Sequence, residues 1–296
     1  LSCDRLAFLW GIAQGIYRDT KLYWYNGKLI DGETLELAID DPGLLYGATV
    51  FSTLRVYQSL DNPLTNWNGH CDRIRSSLLA LGWQQPDWER SRYGAETLTK
   101  QFPILRITIF PDGREWITGR FLPVDLTQRQ KYGIRALLIE PCLTPPPGVI
   151  ERSLPQHKTG NYLGAWLAMN KAKKFEAQEA ILVDERGNWL ETSTGNLWGW
   201  RDGKWWTPPI DGRILPGIMR SQLISWLVSQ NQPVGEVAFD AEWVKGLSAV
   251  AYSNSVVEVV PIHTVITSES QITYDATHSS LEQLRRLHQS DRSHKD

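Results

Sequence analysis

His157-Lys158-Thr159-Gly160-Asn161-Tyr162-Leu163 is the stretch on which the reading of this chain turns. It sets a lysine just ahead of a helix, expected over residues 161–174, whose first turn is small and polar. Leu163, Trp166, Leu167 and Met169 form a stripe at helical spacing along it. Most lysines are solvated surface groups. Desolvation at such a loop–helix junction lowers the amine's pKa, which favours a nucleophile able to form a Schiff base with a carbonyl.

Working outward, the chain alternates short strands with helices. Downstream, 180–183 and 189–199 read as strands joined at Glu185-Arg186-Gly187-Asn188, and Asp202-Gly203 turns into a strand at 204–206. Pro216-Gly217 opens a helix to about residue 229, and strands at 249–253 and 256–262 flank Asn254. Upstream lie a Pro-rich loop at 141–148 and a strand at 134–139. Before these, residues 122–133 (LPVDLTQRQKYG) are polar and aperiodic, as expected of a linker.

The N-terminal half reads the same way. Asn26-Gly27 signals a hairpin between strands at 22–25 and 28–30. Residues 48–57 are β-branched and aromatic. Residues 70–81 form an amphipathic helix with Ile74, Leu78, Leu79 and Leu81 near helical spacing and Arg73 and Arg75 on other faces. A strand at 105–110 stops at Pro111-Asp112-Gly113. The sum is an α+β protein in two halves, mostly antiparallel sheets with flanking helices. The expected parts are an N-terminal extension (1–21), a small α+β domain (22–123), a linker (124–132) and a larger domain (133–296).

Composition narrows the function classes. The 296 residues are 42% hydrophobic and 22% charged, as in an ordinary globular protein, and the formal net charge of −2 makes no electrostatic case for nucleic acid or an anionic membrane. No apolar run reaches the roughly 20 residues that cross a bilayer. Residues 6–16 are apolar but lack a basic flank and a small-residue cleavage site, so a short amphipathic helix or an extension is expected there rather than a signal peptide. Cys3, Cys71 and Cys142 are an odd, scattered set, neither a disulfide framework nor a zinc pattern, and the six histidines lack HxxxH or HExxH spacing. A cytoplasmic setting fits, and the tail beyond His288 reads as disordered. The 14 tryptophans admit a non-catalytic, Trp-rich ligand-binding protein as a rival reading, although most of them lie in patterns that suit a core.

Five segments, in order across residues 23–265, resemble the class IV aminotransferase family, the fold-type IV pyridoxal-phosphate enzymes typified by D-amino acid aminotransferase. The first is Asp41-Pro42-Gly43-Leu44-Leu45-Tyr46-Gly47 running on to Phe51-Ser52-Thr53-Leu54-Arg55, with Pro42 where Arg is usual and Ala48 where Asp is usual. The second is His70-Cys71-Asp72-Arg73-Ile74, and the third carries Lys158 and Tyr162. The fourth is Leu190-Glu191-Thr192-Ser193-Thr194-Gly195-Asn196-Leu197-Trp198, and the fifth is Ile214-Leu215-Pro216-Gly217-Ile218-Met219-Arg220. Ser253-Asn254-Ser255 is similar to the family's second phosphate-binding turn.

The resemblance implies a pyridoxal 5′-phosphate cofactor carried on Lys158, with Tyr162 near its phenolic oxygen and Glu191 at its ring nitrogen. It further implies a phosphate held by Arg73, by Gly217, Ile218 and Met219 at a helix start, and by Ser255. A small amino-acid-like or aminodeoxychorismate substrate and a homodimer are implied as well. Many aminotransferase members have Glu at the position of Ser52 and Thr at that of Met219; Phe51-Ser52-Thr53-Leu54-Arg55 and Met219 are more similar to the lyase members. That implies formation of 4-aminobenzoate and pyruvate, a folate-pathway step, with Lys158 and Thr53 as acid–base groups and D-amino acid or branched-chain transamination as the alternative. Ser52, Arg106, Arg114 and Arg120 are candidate substrate contacts. The family's Ser/Thr-Arg-Gly is replaced here by Phe110-Pro111-Asp112-Gly113.

Overall fold

The computed structural model describes residues 22–140 and 153–289. The expectations for the N-terminal extension, the Pro-rich loop, Cys3, Cys142 and the extreme C-terminal tail lie outside those residues. The chain divides into two compact units, Leu1–Val124 and Asp125–Asp296.

Unit 1 is built on five antiparallel strands: β1 (Leu22–Tyr25), β2 (Lys28–Asp31), β3 (Val50–Arg55), β4 (Ile104–Ile109) and β5 (Glu115–Arg120), in the order β2-β1-β5-β4-β3. The β1–β2 hairpin turns where expected, with Asn26 and Gly27 at φ 46° and 85°, the left-handed pair that a two-residue hairpin loop demands. Among the described residues, three helices accompany the sheet: α1 (Pro42–Tyr46), α2 (Trp67–Leu81) and α3 (Trp88–Thr99). Alternation along the strands sends Val50, Leu54, Leu105, Ile107, Ile109 and Ile117 into a core with Ile74 and Leu78 of α2 and Leu98 of α3. The opposite face carries the row Thr53–Arg106–Thr118, paired across β3, β4 and β5.

Unit 2 contains a nine-stranded sheet: β6 (Ile134–Ile139), β7 (Glu179–Val183), β8 (Trp189–Thr192), β9 (Asn196–Arg201), β10 (Lys204–Thr207), β11 (Val234–Glu236), β12 (Ala249–Asn254), β13 (Glu258–Ile266) and β14 (Gln271–Thr273). The path β9-β12-β13-β6-β7-β8 returns upon itself because β8 also pairs with β9, through Glu191 opposite Asn196. β6 runs parallel to β7 and to β13, while most other pairs are antiparallel. Among the described residues the unit also has helices α4 (Leu126–Tyr132), α5 (Leu163–Lys174), α6 (Ile218–Ser229), α7 (Ala241–Lys245) and α8 (Leu281–Gln289).

Several expectations are corrected. The stretch read as a linker contains α4, which buries only Leu126 and so shows no apolar period; an Asp125–Arg129 ion pair at 2.8 Å ties its first turn. The strand expected over 189–199 is broken at Ser193-Thr194-Gly195, where the Gly195 N–H donates to Thr192 Oγ1 at 2.9 Å. The stripe on α5 faces outward: Leu163, Trp166 and Leu167 are exposed, and the helix packs through Ala165, Ala168 and Ala172. Trp198 and Trp205, by contrast, are fully buried, as the core patterning implied. Among the described residues no helix is long and apolar enough to cross a membrane.

Candidate active site

In unit 2 the loop before α5 brings Lys158 against Tyr162. The lysine Nζ donates to the Tyr162 hydroxyl at 3.0 Å, and that hydroxyl donates to the Ser193 carbonyl at 3.2 Å. The amine also sits 4.9 Å from the centre of the tyrosine ring, the attraction expected between a cation and a π face. Lys158 is half-buried, and its contact with Tyr162 positions its amine.

Glu191 is buried at the closure of the strand ring, where its carboxylate accepts the Leu215 N–H at 3.2 Å. Its cross-strand partner Asn196 donates to the Leu215 carbonyl at 2.9 Å. The Leu215–Gly217 segment entering α6 is thus held from both residues of the pair. Gly217 is the N-cap of that 12-residue helix, and among the described residues no side chain caps it. Ile218 and Met219 open the helix with their N–H groups in its first turn, where the backbone dipole favours an anion. A Cβ at Gly217 would come within 2.0 Å of Asn196 Oδ1, so only glycine fits this approach. Ser255 sits in the turn between β12 and β13, whose shape is set by Asn254: its Oδ1 accepts the Val256 and Val257 N–H groups at 2.9 and 3.0 Å.

In unit 1 the hydroxyl of Ser52 is fully buried between two residues of α2, 2.6 Å from His70 Nδ1 and accepting an Arg73 N–H at 2.7 Å. It points into the helix-covered face. Thr53 points to the other face, directly across from Arg106, whose guanidinium lies 3.7 Å from the Phe51 ring centre. Arg114 is occupied differently. It donates to Asp41 and Asp112 and to the Tyr25 hydroxyl, each at 2.6 Å, and thereby locks the β4–β5 turn to the start of α1. Burial works to raise the Asp41 carboxyl, but the Arg114 hydrogen bond and the Gly43 N–H outweigh it and hold the group below the usual range. Burial pushes the Cys71 thiol on α2 up to about 12, which removes it as a nucleophile. No cluster of His, Cys, Asp and Glu among the described residues has the makings of a metal site.

Residues 49–265 match the family model for amino-transferase class IV. The chain belongs to the class IV aminotransferases. Among similar proteins, the aminodeoxychorismate lyase of Vibrio harveyi is 23% identical over 86% of this chain and 94% of its own length. The D-alanine aminotransferase of Staphylococcus haemolyticus is 27% identical over 82% of this chain and 88% of its own. The PLP-bound form of a hypothetical aminotransferase from Mycobacterium tuberculosis superposes with a TM-score of 0.73 at 16% identity, covering 91% of this chain and 98% of that one. The fold is therefore fold-type IV, and pyridoxal phosphate is the family's cofactor.

The donor set suits that group. A phosphorylated pyridine aldehyde needs an amine, an acid for its ring nitrogen and anion-binding N–H groups; Lys158, buried Glu191 and the uncapped start of α6 are of those kinds. Glu179 was not anticipated from sequence as part of this region, and Ser193 and Asn196, though inside the fourth segment, were given no role there. The available signal for Glu179 was a charged residue opening Glu179-Ala180-Ile181-Leu182-Val183, a run that is otherwise apolar and wholly buried.

Proposed function

We propose that this chain is a 4-amino-4-deoxychorismate lyase, releasing 4-aminobenzoate and pyruvate. The observation that carries this reading is the cross-strand pair of Thr53 and Arg106. Directly opposed residues of antiparallel strands hold their Cβ atoms about 5 Å apart. An enolpyruvyl ether leaving a ring needs a proton for its methylene carbon and a cation for its carboxylate; the Thr53 hydroxyl and the Arg106 guanidinium, which leans along the same face onto Phe51 and Thr108, are groups of those two kinds. Ser52, turned inward to His70 and Arg73, leaves the adjacent Thr53 to present that hydroxyl.

Pyridoxal phosphate, when bound, supplies an aldehyde that captures the substrate amine and a ring that accepts electrons. In this reading Lys158 would hold the cofactor and, set free when the substrate amine takes its place, would take the proton from the amine-bearing carbon. Its contact with Tyr162 holds the amine in place for that transfer. Glu191 keeps the ring nitrogen protonated, which its carboxylate favours by charge. Arg73, the first N–H groups of α6 and the Ser255 hydroxyl bind the phosphate. The carbon–oxygen bond to the enolpyruvyl group breaks, and Thr53 or Lys158 returns a proton to its methylene carbon. The reaction is redox-neutral and consumes no water. Positioned acid–base groups of this kind contribute on the order of 10²–10⁴-fold.

A second reading is transamination of D-alanine or a branched-chain amino acid, favoured by the likeness to D-alanine aminotransferase. Enzymatically generated aminodeoxychorismate and, separately, D-alanine or L-leucine with 2-oxoglutarate distinguish the two. The lyase reading expects 4-aminobenzoate and pyruvate from the first. Glutamate from the second without 4-aminobenzoate from the first overturns it.

A further inference from the structure

We propose that Glu179 is a positioning residue that sets the hydrogen-bonding direction of Tyr162 toward Lys158 and ties it to the turn bearing Ser255. The proposal rests on reading Lys158 as the cofactor lysine. Glu179 opens β7, and its carboxyl is buried. One oxygen accepts the Ser193 hydroxyl and the Ala180 N–H, the latter at 3.0 Å; the other accepts the Thr194 hydroxyl.

The consequences run in two directions. Ser193 is clamped twice, by its hydroxyl on Glu179 and by its N–H on the Ala180 carbonyl at 2.9 Å. Its carbonyl is therefore fixed where it accepts the Tyr162 hydroxyl proton. With that proton committed, the phenol turns lone pairs toward the Lys158 amine, which donates to it. On the other side, Thr194 gives its proton to Glu179 and accepts from the Asn254 side-chain amide at 3.3 Å. The opposite end of that amide shapes the 254–257 turn next to Ser255. One buried carboxyl thus orders the lysine's partner and the turn proposed to bind phosphate.

Burying this group is costly. Burial raises the Glu179 carboxyl above the usual range despite the Ser193, Thr194 and Ala180 hydrogen bonds, while Arg129 on α4 pulls it down. Tyr252, buried on β12, is raised by burial and further by the Glu179 charge. A carboxyl kept at such a position against its solvation has an ordering role that an apolar residue would not supply.

The test uses the full chain stripped of cofactor. Pyridoxal phosphate is added, and the rate at which its visible band develops is followed against pH; because only the free amine reacts, the profile titrates Lys158. Thermal melting of each apoprotein is recorded alongside. E179A is expected to move the midpoint down by about one pH unit, since Tyr162 no longer presents its lone pairs to the protonated amine. E179Q, which keeps an acceptor for Ser193, is expected to restore the midpoint. If E179A does not fold, S193A removes the same link and is expected to shift the profile in the same direction. An E179A or S193A protein that melts earlier but keeps the wild-type profile overturns the proposal and leaves the Lys158 reading intact. Wild-type protein that develops no band overturns both.

Discussion

The Arg73 guanidinium donates to the Ser52 hydroxyl, and Ser52 meets His70 Nδ1, at 2.7 and 2.6 Å. A guanidinium has no acceptor, so Ser52 accepts from Arg73, and the direction of its contact with Nδ1 follows the imidazole tautomer. The residue that replaces the glutamate usual in aminotransferase members thus steers the arginine proposed to bind phosphate. S52A is expected to weaken cofactor binding about fivefold, the effect of losing one orienting hydrogen bond worth about 1 kcal/mol. Titrating apoprotein with pyridoxal phosphate by tryptophan fluorescence measures this, and an unchanged affinity would remove Ser52 from the account.

Gly217 tests the approach of α6 to Asn196. Its φ of −70° suits any residue, so the objection to a side chain is purely steric. G217A forces Asn196 away from the Leu215 carbonyl it holds. A loss of about 1–3 kcal/mol in urea unfolding is expected, together with faster release of cofactor on dialysis. An alanine variant of wild-type stability would mean that the segment yields freely.

Two arginines proposed from sequence as substrate contacts should separate. Arg114 already engages two carboxylates and a phenol, so R114A is expected to lower stability; R106A is expected to raise the KM of a carboxylate substrate at least tenfold while the melting temperature holds. Equal KM effects from both would reverse this division.

The Asp41–Arg114 pair also predicts an acid limb. The folded pKa of Asp41 is lowered, so its stabilisation is complete above the unfolded value of about 3.9 and is lost as pH falls through the folded value. D41N removes that dependence. Urea unfolding from pH 2 to 6 should show a flatter stability curve for D41N than for wild type; parallel curves would refute the assignment.

Much of this was legible in the sequence because local chemistry and fold agreed. Asn26-Gly27 gave a hairpin, Pro216-Gly217 a helix start, and the lysine string a loop before a helix. α3 was missed because its buried face is Ser91, Gly94, Ala95 and Leu98, small residues that leave almost no apolar period. Gly94 is required there, since a Cβ would press to 2.5 Å from the Trp24 ring. The stripe on α5 was visible but its direction was not: spacing shows that Leu163, Trp166 and Leu167 share a face, and only the alanines beneath show which face packs. Glu179 was hidden because its importance lies in Ser193 and Thr194, 14 and 15 residues away along the chain.

The central claim is that Lys158 carries the cofactor, and covalent trapping tests it most directly. Purified protein loaded with pyridoxal phosphate is reduced with borohydride, digested and sequenced by mass spectrometry. The account predicts loss of the visible band and a single phosphopyridoxyl group on the Lys158 peptide. The same group on another lysine, or none on any peptide, would contradict it.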